Sequence, residues 1–305
     1  MNTNQYAMLR LQAACAEKGP LCVGLDTDPS YLPPEVLRMY DGPAEAVLAF
    51  NRALIEAAAP HAACFKVQIA YYEAMGLAGL KAYAETLKAL RAAGIPSIAD
   101  IKRGDIADTA KAYARAHFEG DFEADIVTLN PYMGFDTLEV RAGVGLCMKD
   151  IEWLELAGSG RRVLDEVGSG IQEIGRRYGD FSKEGCAPFG VVVGCTEESD
   201  ARTLRDRYPD LFFLIPGYGA QGGATRIAAT LLDRAGGTVN SSRGILTAWK
   251  KDQTLEIRAS AGELSLDDIV ESAARASFAA KAELLGAKRL LAADAARAGQ
   301  AGGKN

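Results

Sequence analysis

The chain has 305 residues, of which 49% are hydrophobic, 8% aromatic and 24% charged, with 32 Gly and 11 Pro. That composition suits a globular protein and excludes collagen-like, disordered and disulfide-framework classes. Lys and Arg total 34 against 40 Asp and Glu, a net charge of −6, so no nucleic-acid partner is expected.

In chain order, residues 1–19 mix Asn, Gln, Arg and Glu among apolar side chains and hold no secretory core. No stretch anywhere approaches the roughly 18 apolar residues of a membrane span, so no membrane association is expected. Short apolar runs then recur at Leu21–Asp26, Ala63–Gln68, Pro96–Lys102, Asp125–Asn130, Gly143–Met148, Phe189–Thr196, Phe212–Gly217 and Gly237–Arg243. Helical periodicity separates them at Ala44–Ala59, Leu77–Ala93, Thr109–Phe118, Ser199–Tyr208 and Ala224–Ala235. Connections of that length are too long for hairpins and imply parallel strands with helical crossovers.

Eight such units predict an α/β fold closed into a single (β/α)8 TIM barrel rather than an open sheet. Lys250–Ser265 reads as a polar excursion, and Leu266–Arg297 as an Ala-rich helix that completes and extends the barrel. The expected organisation is one barrel domain over residues 1–297 with a C-terminal helical extension, then a flexible tail over 298–305.

The six cysteines, Cys15, Cys22, Cys64, Cys147, Cys186 and Cys195, form no C-x-x-C pair, and His61 and His117 are the only histidines. No metal site is expected from that set. Cys22, Cys64 and Cys195 lie inside apolar runs, as free buried thiols do, which points to a reducing, cytoplasmic setting.

In such barrels the chemistry sits at the C-terminal ends of the strands. Here those ends are charged: Gly24-Leu25-Asp26, Phe65-Lys66-Val67-Gln68 and Asp100-Ile101-Lys102-Arg103-Gly104-Asp105. Strand alternation puts Ile98, Asp100 and Lys102 on one face and Ala99 and Ile101 on the other. With the apolar pair against the helices, Asp100 and Lys102 point into the barrel mouth, where Lys66 can join them. Crowding charges in a partly desolvated cup is costly unless they pair, and it is more often functional than structural. A plainer reading makes Asp105 the N-cap of a helix starting at Ile106 and leaves Lys102 and Arg103 in solvent; it does not explain charges on the inward face of a strand.

A second group lies at strands 7 and 8. Ile215-Pro216-Gly217-Tyr218-Gly219-Ala220-Gln221-Gly222-Gly223 precedes a helix, and Asn240-Ser241-Ser242-Arg243-Gly244 follows the last strand. Glycine backbone, helix-start N–H groups and a guanidinium read together as a phosphate cradle. Tight turns without a ligand are the simpler alternative. The G-x-G-x-x-G spacing of Gly217, Gly219 and Gly222 does not fit dinucleotide binding, because it falls in the seventh unit and Asp233 follows too soon.

Asp100-x-Lys102-x-x-Asp105-Ile106, with Asp26, Lys66, the Leu129-Asn130-Pro131-Tyr132-Met133-Gly134 segment, Gln221 and Arg243 in the same order, resembles orotidine 5′-phosphate decarboxylases, in particular a longer bacterial subgroup. The resemblance runs from Leu21 to Ile245 and implies decarboxylation of orotidine 5′-phosphate to UMP in pyrimidine biosynthesis, with no cofactor. It further implies Lys102 as the proton donor to C6, Asp100 beside the departing carboxylate, and Lys66 and Asp105 completing the charge array. Substrate contacts would come from Asp26, Ile106, Thr109, Asn130, Gln221 and Arg243, in a homodimer whose Asp105, Ile106 and Thr109 enter the neighbouring site.

The resemblance departs at Asp136–Ala142, too short for the full helix expected after strand 4, and at Cys147-Met148-Lys149-Asp150, which replaces the family's pyrimidine-recognition segment. Two alternatives follow: another phosphosugar-acting barrel enzyme, of epimerase type or an aldolase using Lys102 as a Schiff base, or a catalytically impaired nucleotide binder.

Overall fold

The computed structural model describes residues 7–135, 138, 145–147, 162–177, 187–194, 197–216 and 224–302. Eight strands, β1 (Leu21–Leu25), β2 (Cys64–Gln68), β3 (Ser97–Arg103), β4 (Ile126–Leu129), β5 (Gly145–Cys147), β6 (Phe189–Val192), β7 (Phe212–Ile215) and β8 (Gly237–Ser241), pair in sequence order. All eight pairings are parallel, and β8 returns to β1 to close the barrel. Each strand falls within or overlaps one of the apolar runs, because a strand buried on both faces reads as a continuous apolar stretch. Closure holds even at the shortened stretch, where β5 pairs with both β4 and β6.

The helices are α1 (Ala7–Lys18), α2 (Pro34–Leu37), α3 (Pro43–Ala58), α4 (Ile69–Glu73), α5 (Gly76–Ala92), α6 (Ala107–Phe118), α7 (Val163–Arg177), α8 (Glu198–Arg207), α9 (Ala224–Leu231), α10 (Arg243–Leu246), α11 (Gln253–Ser260) and α12 (Leu266–Gly302). Two cores result. The outward faces of the strands, including Val23, Phe65, Ala99, Val127, Phe213 and Val239, pack against the surrounding helices. The inward residues Cys22, Cys64, Ile98, Ile126, Phe212 and Leu214 fill the lower barrel, closed from below by Ala7, Met8 and Leu11 of α1. Gly19, at a φ of +90°, ends α1 and turns the chain into β1.

Three elements differ from the sequence reading. Helix α1 was not expected, since its apolar face is only a few residues wide. Helix α11 occupies the polar excursion, started by Asp252, whose carboxylate accepts from the N–H groups of Thr254 and Leu255 at 3.0 and 3.3 Å. Helix α12 starts at a reciprocal Ser265–Asp268 cap, with Ser265 N–H to Asp268 at 2.9 Å and Asp268 N–H to Ser265 Oγ at 3.2 Å. It continues to Gly302, through part of the stretch read as a flexible tail.

His117, near the end of α6, is buried and stacks on Phe122 with ring centroids 5.9 Å apart. It backs a cavity between α6 and the outer face of β3 and β4, which Arg103, Tyr113 and Leu129 also line. Burial first, and the Arg103 cation second, pull its pKa down to about 4. The fold thus favours neutral His117, so its stabilisation is complete above the unfolded-state pKa of about 6.5 and is lost as pH falls toward 4. Urea denaturation between pH 7 and pH 4 should show a loss of about 3 kcal/mol from this residue, absent in His117→Phe. An unchanged pH slope in that variant would refute the assignment.

Candidate active site

Strand alternation that fills the lower barrel with apolar side chains brings polar ones inward one pleat higher. Lys66 follows Cys64 on β2, Asp100 follows Ile98 on β3, Thr128 follows Ile126 on β4, and Asn240 follows Thr238 on β8. At the rim, Asp26, Gln68, Lys102 and Ser242 complete the constellation.

The side chains form one connected chain of charge-assisted hydrogen bonds. Ser242 Oγ donates to Asp26 Oδ2 at 2.7 Å, and Lys66 Nζ donates to Asp26 Oδ1 and to Asp100 Oδ2, both at 2.9 Å. Lys102 Nζ donates to Asp100 Oδ1 at 2.6 Å. Gln68 Nε2 and Thr128 Oγ1 also donate to Asp100, at 2.9 and 2.8 Å, so this carboxylate accepts four hydrogen bonds. Asn240 Nδ2 donates to Ser242 Oγ at 3.0 Å and thereby aims the Ser242 proton at Asp26.

Opposing charges decide the ionisation. Burial disfavours a charged Lys66, but Asp100 and Asp26 outweigh it and hold the ammonium above its ordinary pKa. Burial likewise disfavours ionised Asp100, yet Lys66 and Lys102 outweigh it and hold the carboxyl below its usual range. Lys66 and Asp100 therefore both stay charged at neutral pH. Exposure is graded: the side chains of Lys66 and Asp100 are each 7% exposed, whereas that of Lys102 is 42% exposed. Of this cluster's two described lysines, Lys102 is thus the one open to a molecule entering the mouth.

The sequence-predicted cluster of Lys66, Asp100 and Lys102 comes together, with Asp26 attached. The route differs from simple alternation for Lys102. Its φ is +48°, and the β3–β4 register shifts between Ala99 and Arg103. A bulge, not an undisturbed pleat, returns Lys102 to the mouth.

The other predicted residues that the structure describes form no hydrogen bond or ion pair with this cluster. Asp105 Oδ1 accepts from its neighbour Ile106 N–H at 2.8 Å, and among the described residues Asp105 forms no ion pair. It is not the N-cap of α6 either; Ile106 holds that position, without a side-chain cap. Ile106 and Thr109 are exposed at the start of α6. Asn130 Oδ1 accepts from Tyr132 N–H at 3.0 Å and so caps the turn after β4. Arg243 is exposed at the start of α10, beyond β8. Gln221, the rest of the glycine-rich segment from Gly217 to Gly223, and the segment from Met148 to Asp150 fall outside the described residues.

Gln68, Thr128, Asn240 and Ser242 carry hydrogen bonds of the site that sequence reasoning did not assign. For two of them a signal was present: Gln68 lies two residues after Lys66 and Thr128 two before Asn130, each on an inward face. Gly24 is equally specific. A Cβ there would overlap Ser242 Oγ and come within 2.7 Å of Asn240 Oδ1. Only a residue without a side chain leaves room for the Asn240–Ser242–Asp26 relay.

Among the described residues no cluster of three or more His, Cys, Asp or Glu is arranged to hold a metal ion, and no helix is long and apolar enough to cross a membrane.

Residues 19–257 match the sequence profile of the orotidine 5′-phosphate decarboxylase / HUMPS family. The orotidine 5′-phosphate decarboxylase of Clostridium perfringens (strain 13 / Type A) is 48% identical over 250 residues, covering 77% of this chain and 86% of that protein. Among solved structures, a Streptomyces avermitilis protein described as a candidate orotidine 5′-phosphate decarboxylase superposes with a TM-score of 0.68 at 26% identity, covering 93% of this chain and 96% of the other. Leishmania donovani OMP decarboxylase gives a TM-score of 0.60 at 27% identity, covering 86% of this chain and 98% of the other.

Proposed function

The chain belongs to the orotidine 5′-phosphate decarboxylase / HUMPS family, and we propose that it converts orotidine 5′-phosphate to UMP and CO2 in pyrimidine biosynthesis. The observation that carries the reading is the Lys66–Asp100–Lys102 chain at the barrel mouth, with an exposed ammonium beside a buried carboxylate.

In this reading the C6–carboxylate bond breaks and its electron pair remains on C6, in the plane of the ring and out of reach of the π system. A fixed cation and a ready proton must then stabilise it. Lys102 supplies both, its ammonium transferring a proton to C6. Asp100, held ionised by its two lysines, lies against the substrate carboxylate and disfavours the ground state relative to the transition state. Lys66 keeps Asp100 and Asp26 in place, and Asp26 binds the ribose hydroxyls. Gln221 and Arg243 bind the phosphate, whose binding energy offsets the unfavourable placement of two carboxylates. Asn130 positions the rim near the nucleotide.

We further propose a cytoplasmic homodimer built from one barrel unit per chain. Asp105, Ile106 and Thr109 lie at the rim away from their own cluster, which suits a contribution to the partner's site. Exposed apolar side chains at the ends of β3 and β4, Ile106, Tyr132 and Met133, support an interface there.

The test is direct turnover of orotidine 5′-phosphate, with UMP and CO2 as products in equal amounts. UMP binding without turnover would identify an impaired binder, and borohydride trapping of a keto-sugar phosphate on Lys102 would identify a Schiff-base aldolase instead. Within this reading, Gly24→Ala is expected to displace Ser242 and loosen Asp26, raising KM about tenfold, the effect of weakening one charge-assisted hydrogen bond. Steady-state kinetics on the folded variant measures it, and an unchanged KM would count against Asp26 as a ribose contact.

A further inference from the structure

We infer that Thr128 is a positioning residue for the site, its single hydroxyl setting both the backbone of Lys102 and the orientation of the Asp100 carboxylate. The kinetic part of this inference rests on the decarboxylase reading; the structural part does not.

The register between β3 and β4 runs Ile98↔Ile126 and Ala99↔Val127, then resumes at Arg103↔Leu129. Asp100, Ile101 and Lys102 therefore stand opposite the one residue Thr128. Such a bulge takes backbone groups out of the ladder, and a buried N–H left without an acceptor is costly. Thr128 removes that cost for Lys102, whose N–H donates to Thr128 Oγ1 at 3.0 Å. The same hydroxyl donates its own proton to Asp100 Oδ1 at 2.8 Å. Lys102 Nζ, arriving at Asp100 Oδ1 at 2.6 Å, closes a ring from backbone to hydroxyl to carboxylate to ammonium.

The ring matters because Lys102 sits at a φ of +48°, a region that residues with a Cβ rarely occupy. Strained conformations of this kind persist only where the surroundings over-determine them. A regular extended φ would release the strain and carry Nζ away from Asp100. Thr128 itself is fully buried, and its branched Cβ restricts the rotation that would break either hydrogen bond. The position needs one small group that is both acceptor and donor, which among compact side chains means a hydroxyl.

The test compares Thr128→Val, which keeps the shape and removes the hydroxyl, with Thr128→Ser, which keeps the hydroxyl. Thr128→Val should lower kcat about 30-fold, within the range expected when a reacting group is misplaced by about an ångström, with KM for orotidine 5′-phosphate within about twofold of wild type. Thr128→Ser should recover kcat to within about threefold. Hydrogen exchange of the Lys102 amide, measured on all three proteins, should be slow in wild type and Thr128→Ser and at least tenfold faster in Thr128→Val. Equal kcat in wild type and Thr128→Val, equal loss in both variants, or a wild-type Lys102 amide that exchanges freely would each overturn the inference. The last readout needs no folded variant. Should wild type lack turnover while the exchange pattern appears as stated, the decarboxylase reading fails and the positioning role stands.

Discussion

Lys102→Ala is expected to lower kcat by about four orders of magnitude while UMP binding stays within a few-fold of wild type. A positioned proton donor is associated with 10²–10⁴ and a preorganised charge with 10²–10³; one ammonium performs both tasks, so the two factors multiply, and about 10⁴ is the lower end of their product. Affinity is expected to survive because the proposed phosphate and ribose contacts, Gln221, Arg243 and Asp26, remain in place. Single-turnover kinetics and UMP titration measure the two effects separately, and wild-type turnover in this variant would remove Lys102 from the mechanism. The strained backbone adds a comparison that is independent of activity. Alanine inherits the φ of +48°, whereas glycine adopts it freely. Lys102→Gly should therefore be as inactive as Lys102→Ala yet more stable by about 1 kcal/mol in urea denaturation.

The largest stability effect is expected at Arg205, the largest of the fully buried side chains among the described residues. Its guanidinium is satisfied by backbone alone. Nε donates to Leu231 O at 2.9 Å, Nη1 to Tyr208 O and Leu211 O at 3.1 and 2.9 Å, and Nη2 to Leu231 O and Gly236 O at 2.7 and 3.0 Å. The cation also lies 3.6 Å from the Phe213 ring centroid. One side chain of α8 thus fastens the ends of α8 and α9 and the turns entering β7 and β8. Removing it leaves buried carbonyls without donors, each costing about 1–3 kcal/mol, partly offset by no longer burying a charge. Arg205→Met should lose about 3–5 kcal/mol and melt roughly 10 °C lower. Arg205→Lys should recover little, since a point ammonium cannot reproduce the planar fork. A melting temperature within 2 °C of wild type, on the order of a surface substitution, would contradict this role.

The eight strands and their parallel order were legible in the chain because two-sided burial leaves a plain mark, a short apolar run between helical stretches. The Lys66–Asp100–Lys102 cluster was legible for the opposite reason: charged residues at the ends of such runs violate the pattern, and violations of that kind concentrate at functional sites. Neither argument reaches Ser242, and for Thr128 and Gln68 the strand pleat marks only an inward face; the partner that each of these side chains meets is set by what stands opposite it. Asp105 shows the same boundary from another side. Its place before a helix suggested a cap, but the helix begins two residues later and its carboxylate turns to the adjacent N–H.

Local sequence alone therefore determined the number of strands, their direction and the residues that bring charge to the barrel mouth, because hydrophobic periodicity and the cost of buried charge act residue by residue. Tertiary structure alone decided that α1 closes the barrel floor, that Gly24 makes room for Ser242, and that a two-residue bulge opposite Thr128 turns Lys102 onto Asp100. Those features depend on the register between neighbouring strands and on the closeness of groups distant in the chain, and no periodicity within one segment encodes either.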